Sequence, residues 1–207
     1  METVLSDIEI RVLGSLVEKE ITTPEYYPLS LNALTTACNQ KSNREPVVEY
    51  DEDEVRDAIF TLKDKGLAIT CEGSRVFKYD NYFADKFSLS PDEVAVMCVL
   101  MLRGPQTPGE IRSRTDRLYA FEELSEVENT LEGLASREDG PFVVKLPRQP
   151  GRKEQRWAQL LGGEVAIDET TEQPAESGES LRDRVDRLEA DLAALRAEFS
   201  EFRKQFE

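Results

Sequence analysis

Two stretches of this chain carry the same helix-starting punctuation, and that duplication constrains the fold more than any other feature. Leu5-Ser6-Asp7-Ile8-Glu9 opens one apolar segment and Leu89-Ser90-Pro91-Asp92-Glu93 opens another. In both, serine stands three residues before glutamate. This is the capping-box pattern, in which the hydroxyl accepts from the N3 amide while the glutamate accepts from the serine's own amide. Pro91 falls at N1, where its missing N–H removes no helical hydrogen bond. Ile8, Val12 and Leu16 stripe the first helix, with Leu13 and Val17 alongside, whereas Val94 to Leu102 is apolar nearly all round and needs cover on most sides.

The repetition continues downstream. Val55, Ile59 and Leu62 fall at i, i+4 and i+7 after Glu54, and Val127, Leu131 and Leu134 repeat that spacing after Glu126. Gly66 suits the C′ position of the first of these helices, and Asp139-Gly140-Pro141 stops the second. A β-like pair follows each. Leu67 to Cys71 and Val76 to Tyr79 flank a glycine turn, while Phe142 to Leu146 and Gln155 to Ala158 flank a tip containing Pro150-Gly151. The pattern predicts an α+β, mainly helical fold: two tandem winged-helix domains, three helices plus a β-hairpin each, over residues 1–86 and 87–161. An acidic flexible linker (162–180) and a coiled-coil helix (181–207) are expected after them.

The segment Leu29-Ser30-Leu31-Asn32-Ala33-Leu34-Thr35-Thr36-Ala37-Cys38-Asn39-Gln40-Lys41-Ser42-Asn43-Arg44-Glu45-Pro46 resembles the signature of the YceH-like family of uncharacterised bacterial proteins. The resemblance extends from the first helix through Gln155-Arg156-Trp157, most of the chain. It implies a pair of winged helices and a C-terminal coiled coil, and it implies no activity and no site. Function has to come from the residues themselves.

Several function classes fall away. The chain has no histidine, which removes Ser-His-Asp and Cys-His catalysis and the commonest metal ligand together. No Gly-rich phosphate loop occurs, and no cofactor or metal is expected. Cys38, Cys71 and Cys98 are widely spaced and odd in number, so they read as reduced, partly buried small hydrophobes. The beginning METVLSDIEI lacks the basic and apolar regions of a secretory signal, and the longest apolar run is far shorter than the roughly 20 residues that span a bilayer. A soluble, cytoplasmic, non-enzymatic protein with no membrane contact is expected.

Charge complicates the nucleic-acid reading that winged helices invite. The formal net charge is -16. The stretch Asp51 to Lys65 holds six acids and three bases, and Phe121 to Asp139 seven acids and one base. Non-specific DNA affinity rests on neutralising phosphates, so neither third helix suits a major groove. The bases lie elsewhere: Arg103, Arg112, Arg114 and Arg117 around the second helix of the second repeat, and Lys145, Arg148, Arg152, Lys153 and Arg156 in its hairpin, with Lys41 and Arg44 as weaker candidates in the first. From Phe142 to Leu160 five bases face Glu154 alone. Two readings stand: cations that contact DNA phosphates, or long side chains that balance nearby glutamates while the acidic helices bind a protein partner. Asn32, Asn39, Gln40 and Asn43 are expected to stabilise the long turn through local bonds.

The tail is a separate signal. Residues 162–180 hold six acids and no bases. Leu181, Val185, Leu188, Leu192, Leu195, Phe199, Phe202 and Phe206 then recur at alternating spacings of four and three, so every a and d position is apolar. In a parallel dimer Arg184 faces Glu189, Asp191 faces Arg196 and Glu198 faces Arg203, all opposite in sign. A parallel homo-oligomer is the preferred expectation. An amphipathic helix folding back on the winged domains, a higher oligomer and a docking groove remain open.

Overall fold

The computed structural model describes residues 4–71, 76–148 and 154–163. Contacts divide the chain into Met1–Ile167 and Asp168–Glu207, and every described residue belongs to the first unit. The heptads of 181–207, and the linker beyond Gly163, therefore lie outside the described residues. The described part is α+β and mainly helical, as expected.

The first half runs α1 (Asp7–Thr22), a 3₁₀ turn (Pro24–Tyr26), β1 (Leu29–Ser30), α2 (Leu31–Cys38), α3 (Glu52–Asp64), β2 (Ala68–Cys71) and β3 (Lys78–Asn81). After α4 (Phe83–Phe87), the second half runs α5 (Pro91–Arg103), α6 (Pro108–Thr115), α7 (Leu124–Ala135), β4 (Val143–Lys145) and β5 (Trp157–Gln159). The Ser6 capping box forms in full and the glutamate half of its counterpart forms at Ser90: Glu9 accepts from the Ser6 amide at 2.7 Å and Glu93 from the Ser90 amide at 2.9 Å. Asp51/Glu54 and Thr107/Glu110 start α3 and α6 in the same way. Val55, Ile59 and Leu62 on α3, and Val127, Leu131 and Leu134 on α7, are all buried, so each helix shows its apolar stripe to the core.

Two antiparallel sheets close the halves. The first has strand order β1-β3-β2, with Thr70 opposite Tyr79; the second pairs β4 with β5, with Val144 opposite Ala158. Gln106 bridges Trp157 through Gln106 N to Trp157 O at 3.0 Å and Trp157 N to Gln106 O at 2.7 Å. That single bridge precedes α6 just as β1 precedes α2, so the duplication includes it. The returning strands sit one or two residues later than the sequence pattern placed them, because Ala68 pairs with Asn81 and Val143 with Gln159.

The halves share one continuous core. Every residue of Val94–Leu102 is buried, since α1, α6, α7 and β5 all pack on α5. At the α1–α5 crossing Gly14 lies so close that a Cβ there would meet Leu102 Cδ2 and Met101 Cβ at 3.0 Å. Leu5 N donates to Leu161 O at 2.7 Å and Glu45 N to Leu102 O at 2.9 Å, each linking the first half to the second. The segment joining them is anchored. Phe87 stacks edge-on against Phe83 (5.6 Å between centroids) and Phe142 (5.0 Å), and its carbonyl accepts from Arg137 at 2.6 Å.

Candidate nucleic-acid interface

The loop between α2 and α3 is held by side chains of its own and of α1. Ser30 starts α2 by accepting from Ala33 N at 3.3 Å. Asn39 clamps both ends of the loop, donating to Tyr50 O at 2.7 Å and accepting from Tyr50 N at 2.9 Å. Arg11 reaches up from α1 to Cys38 O (3.2 Å) and Pro46 O (2.7 Å). Asn32 donates to Glu52, Gln40 accepts from Lys19, and Asn43, at φ 59°, accepts from Arg103. The polar residues of this loop thus perform the structural duty expected of them.

Arg44 departs from expectation. Its side chain is 0% exposed; it donates to both Glu18 oxygens (3.0 and 2.6 Å) and twice to Ala37 O (3.1 and 2.9 Å). A guanidinium enclosed this way reaches no phosphate, and its removal from the contact surface is a correction to the sequence reading. Burial alone would push the Glu18 carboxyl up, but Arg44 and then Lys19 more than offset it and hold it below its ordinary 4.5. The thiols match their expected role: Cys38 and Cys98 are fully buried, and burial pushes the Cys38 thiol up to about 11 and Cys98 up as well.

In the second half the predicted cations separate into three groups. Arg112 and Arg156 are committed locally: Arg112 donates to Phe121 O and Glu122 O (3.5 and 2.5 Å), and Arg156 to Pro105 O (2.6 Å) and Glu110 (2.9 Å). Lys145 and Arg148 are exposed beside β4, with the Lys145 ammonium 5.5 Å from the Trp157 ring centroid. They share a shallow hollow with Glu128, Glu132 and Glu154, so the described part of this hairpin is nearly charge-balanced. Arg152 and Lys153 lie outside the described residues.

Arg114 and Arg117 form the third group, and the fold brings them to Lys41. All three line a cleft of about 970 Å³ between the C-terminal end of α1, the loop after α2, α5 and α6. Lys19 and Arg103 line it too, giving five cations against Glu18 and Asp116. Arg114 is half-buried and leaves one guanidinium nitrogen, Nη1, enclosed without an acceptor. Arg103 is held below the ordinary arginine value, first by burial and then by the neighbouring Arg114 and Arg44 guanidiniums. Sequence reasoning already placed Arg103, Arg114 and Arg117 around one helix, but it had no means to bring Lys19 and Lys41 to them from the first half.

Residues 5–152 match the model of a family described as "Protein of unknown function, DUF480". Relatives named UPF0502 protein align along nearly the full length. One from Solibacter usitatus is 55% identical over 100% of both chains. One from Opitutus terrae is 53% identical over 93% of this chain and 84% of its own, and one from Aliivibrio fischeri 49% identical over 97% and 95%. The chain belongs to the DUF480/UPF0502 family of bacterial proteins. The Leu29–Pro46 segment that carried the resemblance falls inside the matched residues. Among the described residues no helix is long and apolar enough to cross a membrane.

Proposed function

We propose that this chain is a non-enzymatic pair of winged helices that associates with DNA in the cytoplasm, through cations of the second half, and self-associates through its tail. The winged-helix reading is supported by the matched order of elements: helix, bridge or short strand, two helices and an antiparallel strand pair, twice. The observation that carries the DNA reading is a contrast in how arginine is used. Arg11 and Arg44 of the first half are buried, whereas Arg117, Lys145 and Arg148 of the second face solvent in a chain of formal net charge -16. Backbone-directed cations position a protein on DNA without reading bases.

The test is salt-dependent binding to random-sequence duplex DNA. Replacing Arg148, Arg152 and Lys153 with alanine should weaken binding and flatten its dependence on salt, by roughly one unit of log–log slope per phosphate contact removed. Binding no better than that of an acidic control protein at near-physiological salt would exclude this function. For the tail, sedimentation of the full chain against one ending at Gly163 should show more chains per particle for the former. Equal values remove the proposed parallel coiled coil.

An adaptor reading has its own support in the first half. Phe60 is 62% exposed on α3, one turn from Asp57 of an acidic helix, and Phe77 before β3 is 70% exposed in a hollow it shares with Leu31 and Arg56. An acidic, apolar surface of that kind matches a basic amphipathic peptide of a partner protein.

A further inference from the structure

Among the described residues, four cations lining the cleft, Lys41, Arg103, Arg114 and Arg117, form no ion pair with a carboxylate. Of the two acids present, Glu18 is already bound by Arg44 and Lys19 (2.6 and 3.3 Å), which leaves Asp116 alone on the rim. Glu110 acts electrostatically on Arg114, and Glu18 and Glu45 on Arg103, but none of them ion-pairs with these cations, so positive charge stays in excess at the cleft of a chain that is otherwise strongly acidic. Crowding guanidiniums together costs free energy, and so does leaving an enclosed guanidinium nitrogen without an acceptor. An anion relieves both costs at once.

We propose that this cleft binds a phosphate-bearing anion, held by Lys41, Arg103, Arg114 and Arg117. The proposal deepens the nucleic-acid reading by adding a phosphate contact in the cleft to the one at the hairpin, and it rests on that reading for a phosphodiester ligand; a free nucleotide is the other source of the same chemistry. Phosphate suits the site better than carboxylate. It offers acceptors in several directions, so that separate guanidinium forks can each engage it, whereas one carboxylate is satisfied by a single fork. The volume of about 970 Å³ exceeds what a lone ion needs and falls within the span of about 300–1,000 Å³ common to ligand clefts. The C-terminal dipole of α6 opposes an anion here, so the side-chain cations have to supply all of the attraction.

Isothermal titration of the full-length protein with inorganic phosphate, with ATP and with a short random-sequence duplex tests this. Arg114→Gln combined with Arg117→Gln should weaken ATP or duplex binding at least tenfold. The hairpin variant Arg148→Gln, Arg152→Gln, Lys153→Gln should leave ATP binding unchanged. Lys41→Gln, at an exposed position, gives the same direction of change should the double variant fold poorly. ATP binding that depends on the cleft, with no duplex binding at all, upholds the cleft and removes the DNA function. Duplex binding that depends only on the hairpin, with no response to ATP or phosphate, overturns the cleft and leaves the DNA function standing.

Discussion

The two halves repeat one plan of helices and strands, yet they use arginine in opposite ways. In the first, the chain between α2 and α3 is long, and Arg11 and Arg44 are drawn inward to satisfy its carbonyls and Glu18. In the second, the connection from α6 to α7 is shorter; Arg112 and Glu126 tie down its backbone at Phe121 and Glu122, and Arg114 and Arg117 are left to the cleft. The contrast teaches that a basic residue near the end of a second helix carries no fixed meaning. The long loop consumes Arg44 as an internal donor while leaving Lys41 exposed, and the short one uses Arg112 as its internal donor while leaving Arg117 exposed.

The largest break in that contrast comes from removing the buried cation. Arg44→Met leaves Glu18 enclosed with only Lys19 beside it, and should cost about 3–5 kcal/mol in urea unfolding. Arg117→Ala should stay within about 0.5 kcal/mol, the range of an exposed substitution. Comparable losses at the two positions would erase the proposed division between structural and free arginines. Acid sharpens the difference. Because the folded Glu18 carboxyl lies below its ordinary 4.5, the stability it contributes is complete above about pH 4.5 and disappears as pH falls through the lower folded value. Without Arg44, only Lys19 opposes burial, so the folded value should rise and the stability that Glu18 contributes above its unfolded value should shrink. Acid titration of the two proteins compared side by side should show a smaller acid-side loss for Arg44→Met.

The shared core predicts a second, smaller loss. Gly14→Ala adds about 0.8–1.0 kcal/mol of helix propensity. The new methyl meets Leu102 Cδ2, which can move, and Met101 Cβ, which cannot, both at 3.0 Å. Overpacking of this kind typically costs about 1–3 kcal/mol, so the variant should be less stable than the parent and should unfold both halves in one transition. Two separate transitions would mean that the halves are independent domains and that their likeness is the more basic fact.

How much of this was legible follows from where each signal resides. The capping boxes at Ser6 and Ser90 and the i, i+4, i+7 stripes at Val55 and Val127 are local patterns, and each reappears as a helix start or a buried face. Thr107-x-x-Glu110 and Asp51-x-x-Glu54 carried the same signal and could have been recognised. The short helix α4 was missed because Phe83 and Phe87 show only one turn of periodicity and are fixed by Phe142, far away in sequence. Arg44 was misassigned for a related reason. Its partner Glu18 sits on another helix, and no spacing rule connects a loop cation to a carboxylate that only the tertiary fold brings to it. The cleft is the extreme case, since Lys41, in the loop after α2, joins Arg103 and Arg114 only once the two halves have packed.

The smallest expected effects compare the two halves at the feature that first relates them. Ser6 accepts from the Glu9 amide at 3.4 Å, so Ser6→Ala removes an acceptor that no other side chain replaces, at a cost of about 1 kcal/mol. The Ser90 hydroxyl instead donates to the carboxylates of Asp92 (2.6 Å) and Glu93 (3.1 Å), both exposed bonds that water can replace. Glu93 still accepts from the residue 90 amide in an alanine variant, and Pro91 still fixes the first turn. Ser90→Ala should therefore cost less than Ser6→Ala. In thermal unfolding of a chain this size, 1 kcal/mol corresponds to roughly 2–4 °C, enough to rank the two. A larger drop for Ser90→Ala would show that the second capping box depends on its hydroxyl as the first does, and the repeat would then be closer in energetics than the hydrogen bonds indicate.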